Sequence, residues 1–247
     1  MTRDVVSMHA IFIEPLRSIF PLLHRFRLLS CHLDASLFLN KTFKMELATH
    51  NTMSYRKPKQ FWAKLVPFVA RCQYVDYKKQ HELGAKGFDL RLFWDKKGKL
   101  EFRHGIVSYN ADDIYEILDY ANEHDIYIRV MLEVRTYNSK NIKNLDELKQ
   151  KFKDFCYHIE SNYPNIKFYG GNTVSDWETL YKFKNKPNIR EIGLYSSVTS
   201  LFSSENKFLR VIDDLCPWIY AKLRNKKNIK AHKDKNCMLV VDFINIQ

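Results

Sequence analysis

The five cysteines, Cys31, Cys72, Cys156, Cys216 and Cys237, include no CxxC pair and follow no metal-ligand spacing. An odd, scattered set excludes a disulfide scaffold and predicts free, mostly buried thiols in a reducing compartment. A bilayer-spanning run is also missing. The most apolar stretch, residues 8–29, is broken by Glu14, Arg17, His24, Arg25 and Arg27, which leaves no uncharged span of the length a membrane helix needs. The same charges, with no small-residue cleavage site after them, argue against a signal peptide. A cytoplasmic or peripherally membrane-associated protein is expected. Residues 43–247 contain no repeat, Gly/Ser linker or low-complexity segment, so nothing divides them into separate domains. Residues 1–44 form an N-terminal extension with two readings. Residues 11–29 fit an amphipathic helix with a basic face; alternatively Met45 is the natural start and the extension is non-native. Both stay open.

What is present supports a sizeable core. Of 247 residues, 45% are hydrophobic and 14% aromatic, too many for a disordered chain. The formal net charge of +12 speaks to partners rather than fold. It suits nucleic acid, an anionic lipid surface or a phosphorylated substrate. No nucleic-acid module is recognisable, so nucleic acid is not an expected partner. The charge is densest over residues 222–235, where Lys222, Arg224, Lys226, Lys227, Lys230, Lys233 and Lys235 face only Asp234. That run reads either as a solvated loop or as a patch for anionic headgroups, where each nearby cation adds roughly 1 kcal/mol.

Strand-like and helical runs alternate. Residues 43–48 read as a first strand, 88–94 as a second opened by Gly87, 126–134 as a third, and 238–244 as a last buried one; 166–169 and 189–195 are also strand-like. Helical spacing covers 59–72 (broken at Pro67), 76–85, a segment from Asn110 and Asp113 to Asn122, 145–161, 208–215 and 218–223. Lys96-Lys97-Gly98-Lys99 signals a turn into residues 100–107 and hence a hairpin. Repeated βα alternation with near-continuous apolar strands argues for parallel pairing. The expected fold class is α/β, a distorted or incomplete TIM (β/α) barrel in a single domain over 45–247, behind the 1–44 extension.

Chemistry-bearing residues fall at the ends of these strands. His50 and Asn51 follow the first, Asp89 and Arg91 lie in the second, Glu133 is near the end of the third, and Asp242 lies on the last. Strand ends are where barrel enzymes gather catalytic groups. Alternation puts Asp89 and Arg91 on one strand face. Asp242, inside Val240-Val241-Asp242-Phe243, needs a compensating partner in so apolar a setting. His81, His124, His158 and His232 have no such context and read as helix or surface residues. A base, an acid and a fixed positive charge are what phosphodiester chemistry requires.

Three ordered motifs then carry a resemblance. His50-Asn51-Thr52, Gly84-Ala85-Lys86-Gly87-Phe88-Asp89-Leu90-Arg91 and His104-Gly105 resemble the catalytic region of the phosphatidylinositol-specific phospholipase C family. Lys86 stands where that family usually has arginine. The likeness covers residues 45–133 and, less specifically, the final strand. It implies that His50 is the general base, oriented by Asp242, and that His104 is the general acid. It further implies that Arg91 holds the phosphate through its planar fork and that Asp89 orients His104 or Arg91. The reaction implied is conversion of phosphatidylinositol to diacylglycerol and inositol 1,2-cyclic phosphate. Calcium-dependent members resemble this chain at Asn51 and Glu133, but they carry an acid where Arg91 stands. Metal-independent bacterial members have arginine there, with aspartate at the position of Asn51. No metal is therefore expected; calcium, if used, would fall to Asn51, Asp89 and Glu133. Arg135, Lys167 and Tyr195, near predicted strand ends, are candidate substrate contacts beside Glu133. The partners implied are a phosphoinositide or related phosphodiester lipid and an anionic membrane surface, met as a monomer. A glycerophosphodiester phosphodiesterase-like barrel, or a non-catalytic module for anionic lipid, are the rival readings.

Overall fold

The structure, a computed structural model, describes residues 45–66, 68, 71–134, 144–170, 180–183, 193–196, 217–235 and 237–246, the backbone alone for 193–196 and 220. Eight strands form one sheet: β1 Glu46–Thr49, β2 Ala85–Trp94, β3 Leu100–His104, β4 Val107–Asn110, β5 Tyr127–Leu132, β6 Lys167–Phe168, β7 Gly193–Ser196 and β8 Cys237–Val241. Among the described residues five helices accompany them: α1 Phe61–Leu65, α2 Tyr77–Glu82, α3 Ile114–Glu123, α4 Leu145–Asn162 and α5 Pro217–His232. A 3-10 turn, Thr52–Tyr55, follows the first strand.

Six strands pair in parallel, in the order β7-β8-β1-β2-β5-β6. Among the described residues the sheet stays open, with no pairing between β6 and β7. Every residue of β5 (YIRVML) and of β8 (CMLVV) is buried, as expected of parallel strands covered on both faces. The ten-residue β2 is the spine. Its first part pairs with β1, Gly87 to Leu92 pair with Tyr127 to Leu132 of β5, and Leu92–Trp94 pair antiparallel with β3. The chain thus leaves the parallel sheet for a β3–β4 hairpin and re-enters it through α3, whose Ile114, Ile117, Leu118 and Ala121 form one buried face. On α4 the buried face is Leu148, Phe152, Phe155, Cys156 and Ile159. The mixed α/β class matches the periodicity in the sequence.

Several boundaries move, each for a tertiary reason. Gly87 lies inside β2 rather than opening it. A Cβ there would meet Ala48 Cβ at 2.8 Å and Tyr169 Cε1 at 3.0 Å, so the glycine serves close approach between strands. The helix expected over 59–72 is helical at Phe61–Leu65, while residues 71–75 are not helical. Their backbone is bound elsewhere: the Cys72 and Gln73 N–H groups donate to Ser54 Oγ, and Phe243 N–H donates to Cys72 O at 2.6 Å. The hairpin expected across residues 96–99 forms between β2 and β3, but β3 ends at His104, three residues short of the 100–107 run, because the chain turns again at Gly105-Ile106. The basic run is a helix rather than a loop as far as His232, because α5 turns Ala221 and Asn225 inward. Asn225 Nδ2 donates to Asp242 O and Ile246 O, tying α5 to the end of β8. Residues 1–44 and 208–215 lie outside the described residues. The three described cysteines, Cys72, Cys156 and Cys237, are free and buried, and no described helix is long and apolar enough to cross a membrane.

Candidate active site

The carboxyl ends of β1, β5 and β8 meet the middle of β2 at one place. His50 follows β1 directly, and its N–H donates to Val241 O at 2.9 Å, extending the β1–β8 ladder by one bond. That bond sets the His50 ring beside Asp242, the residue after β8. Nδ1 of His50 is 2.6 Å from Asp242 Oδ1, and the carboxylate is fully buried. The carboxylate fixes the proton on Nδ1 and leaves Nε2 as an acceptor. Arg91 Nη2, always a donor, occupies that acceptor at 2.7 Å. Gln73 holds the turn from below: its Nε2 donates to His50 O and Val241 O, and its Oε1 accepts from Ile244 N–H.

Arg91 is the hub. Its Nε donates to Asp89 Oδ2 at 2.9 Å, and its Nη1 is 3.3 Å from Glu133 Oε2. Asp89 also accepts from Asn51 N–H at 3.0 Å, while its own N–H donates to Thr52 Oγ1. Thr52 and Asn51 are placed by a left-handed turn at Asn51, with φ 41°, a conformation asparagine tolerates better than most residues. Arg129, the partner of Asp89 in the β2–β5 register, brings Nη1 to 3.6 Å from Asp89 Oδ1. Burial alone would push the Asp89 pKa up. The charges of Arg91 and Arg129, with the Asn51 N–H, instead hold it well below the usual carboxylate range. Burial likewise opposes the Arg91 charge, but Asp89 and Glu133 raise its pKa above the ordinary value.

His104 ends β3, and Gly105 N–H donates to Glu133 Oε1 at 2.9 Å. Glu133 thus ties the His104 turn to Arg91, and burial, which would raise its pKa, is outweighed by Arg91, His104 and that N–H. The His50 and His104 ring centroids are 5.5 Å apart and perpendicular. Burial, followed by the charges of His50 and Arg91, lowers the His104 pKa from 6.5 to about 4. An unfolded chain therefore binds a proton here that the folded chain refuses between those values, and stability rises with pH across that window. The urea midpoint is expected to fall as pH drops from 6.5 towards 4, less steeply in His104→Gln. An equal slope in the variant would remove His104 as the source.

Not every expected residue joins the site. Lys167 pairs with Asp125 and lies 5.5 Å over the Tyr127 ring, at the amino end of β5. That is the opposite end of the sheet, because β6 starts level with the start of β5. Arg135 lies outside the described residues; Tyr195 is in β7, with its backbone alone described. Asp89 contacts Arg91, the second of the two partners considered for it. The calcium set does not suit a cation. Asn51 offers an unpartnered buried amide, but Glu133 uses both oxygens and one Asp89 oxygen is taken twice. The Arg91 guanidinium stands between the two acids, where a calcium ion would need about six to eight oxygens. Three neighbours escaped the sequence reading: Arg129, Gln73 and Cys72, whose Sγ is 3.9 Å from His104 Nδ1. For Arg129 a signal existed, since a charge inside an apolar strand needs a buried partner.

No protein-family model matches the chain, and no curated protein matches it. Among solved structures the chain is similar to a mutant of the phosphatidylinositol-specific phospholipase C from Staphylococcus aureus. The TM-score is 0.47 at 16% identity, over 82% of this chain and 86% of that one. It is also similar to the phosphatidylinositol-specific phospholipase C from Listeria monocytogenes, with a TM-score of 0.48 at 17% identity, over 83% and 91% of the two chains.

Proposed function

We propose that the chain is a phosphoric diester hydrolase/lyase of the phosphatidylinositol-specific phospholipase C type, built on an incomplete (β/α) barrel. The observation that supports it most is the convergence of His50, Arg91 and His104: Arg91 Nη2 is 2.7 Å from His50 Nε2, and the two imidazole centroids are 5.5 Å apart. Asp242 holds Nδ1 of His50, so Nε2 is the base once Arg91 Nη2 turns from it to the phosphate. Nε2 takes the proton of the inositol 2-hydroxyl, and the oxygen attacks phosphorus. The new O–P bond displaces the diacylglycerol oxygen, which leaves with a proton from His104. Inositol 1,2-cyclic phosphate and diacylglycerol result, and the two imidazoles have exchanged protonation states. Hydrolysis of the cyclic product would reverse their roles.

Arg91 holds the phosphoryl oxygens. It gives up His50 to do so and keeps Asp89 and Glu133, so its charge is aimed before substrate arrives. His104 must enter protonated although the empty site disfavours that. The phosphodiester anion supplies the missing counter-charge. The unpartnered Asn51 amide is available to the phosphate or the 2-hydroxyl. With the guanidinium as counter-charge, the reaction runs without calcium or another cofactor.

The lipid is met as a monomer at an anionic surface, from the cytoplasm. Phe61, 75% exposed, and Leu65, 67% exposed, project from α1 with Trp62 and nearby Phe68. Lys57, Lys59, Lys64 and Arg71 flank them, a combination suited to interfacial contact. Turnover of phosphatidylinositol vesicles, glycerophosphoinositol and sphingomyelin, with and without chelator, tests the whole reading. Phosphatidylinositol is expected to be cleaved fastest, chelator to leave the rate unreduced, and Phe61→Ala/Trp62→Ala to slow the vesicle reaction alone. Cleavage of sphingomyelin only, or of nothing, would refute it.

A further inference from the structure

We infer that His50, Cys72 and His104 form a binding site for a borderline-soft divalent cation of the zinc class, which blocks the catalytic space when occupied. One donor atom from each of the three lies within 4.8 Å of the others. Cys72 Sγ and His104 Nδ1 are 3.9 Å apart, where a tetrahedral centre with bonds of about 2.0–2.3 Å spaces its donors by roughly 3.5 Å. Small side-chain movements close that gap. Two imidazoles and a thiolate, with water in the fourth position, are a donor set that zinc prefers and calcium avoids.

The surroundings complete the site. Asp242 already holds Nδ1 of His50 at 2.6 Å, which turns Nε2 outwards as the ligand, the carboxylate–histidine arrangement that supports bound zinc. Asp89, Glu133 and Asp242 carry three negative charges near Arg91 and Arg129, which carry two. With neutral imidazoles, these described groups sum to one negative charge. Loss of the Cys72 proton to solvent makes it two, and a dication balances them. Arg91 must release His50 Nε2 for the metal, as it must for a phosphate, and it keeps both acids in either event. Burial and the Asp242 charge raise the Cys72 thiol pKa well above the ordinary value. The free thiol is therefore a poor nucleophile, and metal has to displace its proton.

The blocking part rests on the proposed phosphodiesterase reaction; the binding part does not. Titration of the intact protein with Co2+, followed by ultraviolet–visible absorption, should give a one-to-one complex with a sulfur-to-cobalt charge-transfer band. Cys72→Ser and Cys72→Ala should lose the band and bind Zn2+ more weakly by roughly 10- to 100-fold or more, the range set by losing a supporting residue. Measured against its own rate in chelator, each should resist Zn2+ at concentrations that stop the wild type. A wild-type complex without the sulfur band, or Zn2+ affinity unchanged in both variants, overturns the site. Zinc bound through Cys72 with cleavage undiminished overturns the block. A protein that cleaves no phosphatidylinositol refutes the catalytic reading, while the cobalt spectrum still decides the metal.

Discussion

Cleavage of phosphatidylinositol is expected to fall by about two to four orders of magnitude when His50 or His104 is replaced by alanine, the usual worth of a positioned proton-transfer group. The two variants should differ in stability. His50 is the partner of Asp242 Oδ1, while Asp242 Oδ2 is already unpartnered. His50→Ala therefore strands a buried carboxylate, at a cost of roughly 1–3 kcal/mol. His50→Ala/Asp242→Asn should recover part of that stability and none of the activity. His104 is half-buried, so His104→Ala should cost less stability than His50→Ala. Turnover near wild type in either single variant would remove the acid–base pair.

Arg91 should give the largest combined loss. It donates to three groups, Asp89, Glu133 and His50. Arg91→Ala leaves Asp89 fully buried with Arg129 at 3.6 Å as its remaining cation. Removing one partner of a buried ion pair typically costs about 3–5 kcal/mol, and the phosphate loses its counter-charge as well. Arg91→Lys separates the two effects. An ammonium restores the charge but cannot span two acids and an imidazole. Its stability should lie between those of wild type and Arg91→Ala, with turnover at least about a hundredfold down, in line with loss of an oriented electrostatic donor. Urea unfolding and initial rates on the same samples check both. A wild-type midpoint for Arg91→Ala would mean that the buried acids do not depend on this guanidinium.

How far the site could be read in advance differs residue by residue. Asp242 was recognisable because an acid within Val240-Val241-Asp242-Phe243 had to be paired. The rule needs only hydropathy, and Arg129 within β5 satisfies it equally well. Asp89 and Arg91 share a face by alternation, and they do form a pair. Gln73 and Cys72 carried no such mark. Their sequence looks like a helix end, and their position follows from Ser54 and Phe243 capturing the backbone. Lys167 misled because nearness to a strand end in sequence does not say which end of the sheet. Its β6 starts beside Tyr127, so it faces Asp125.

Local pattern by itself determined the α/β alternation, the parallel apolar strands, the amphipathic faces of α3 and α4, and the residue types able to move protons or hold a phosphate. These depend on periodicity and on the cost of burying charge, both readable one segment at a time. Tertiary structure decided the rest: the 2.6 Å contact of His50 with Asp242 across 192 positions, which only the resemblance implied, the span of Arg91 across two acids, and the place of a thiol beside the His104 imidazole. Each of those depends on strand register and on which backbone groups are left to bond, and register is settled only when all the strands pack together.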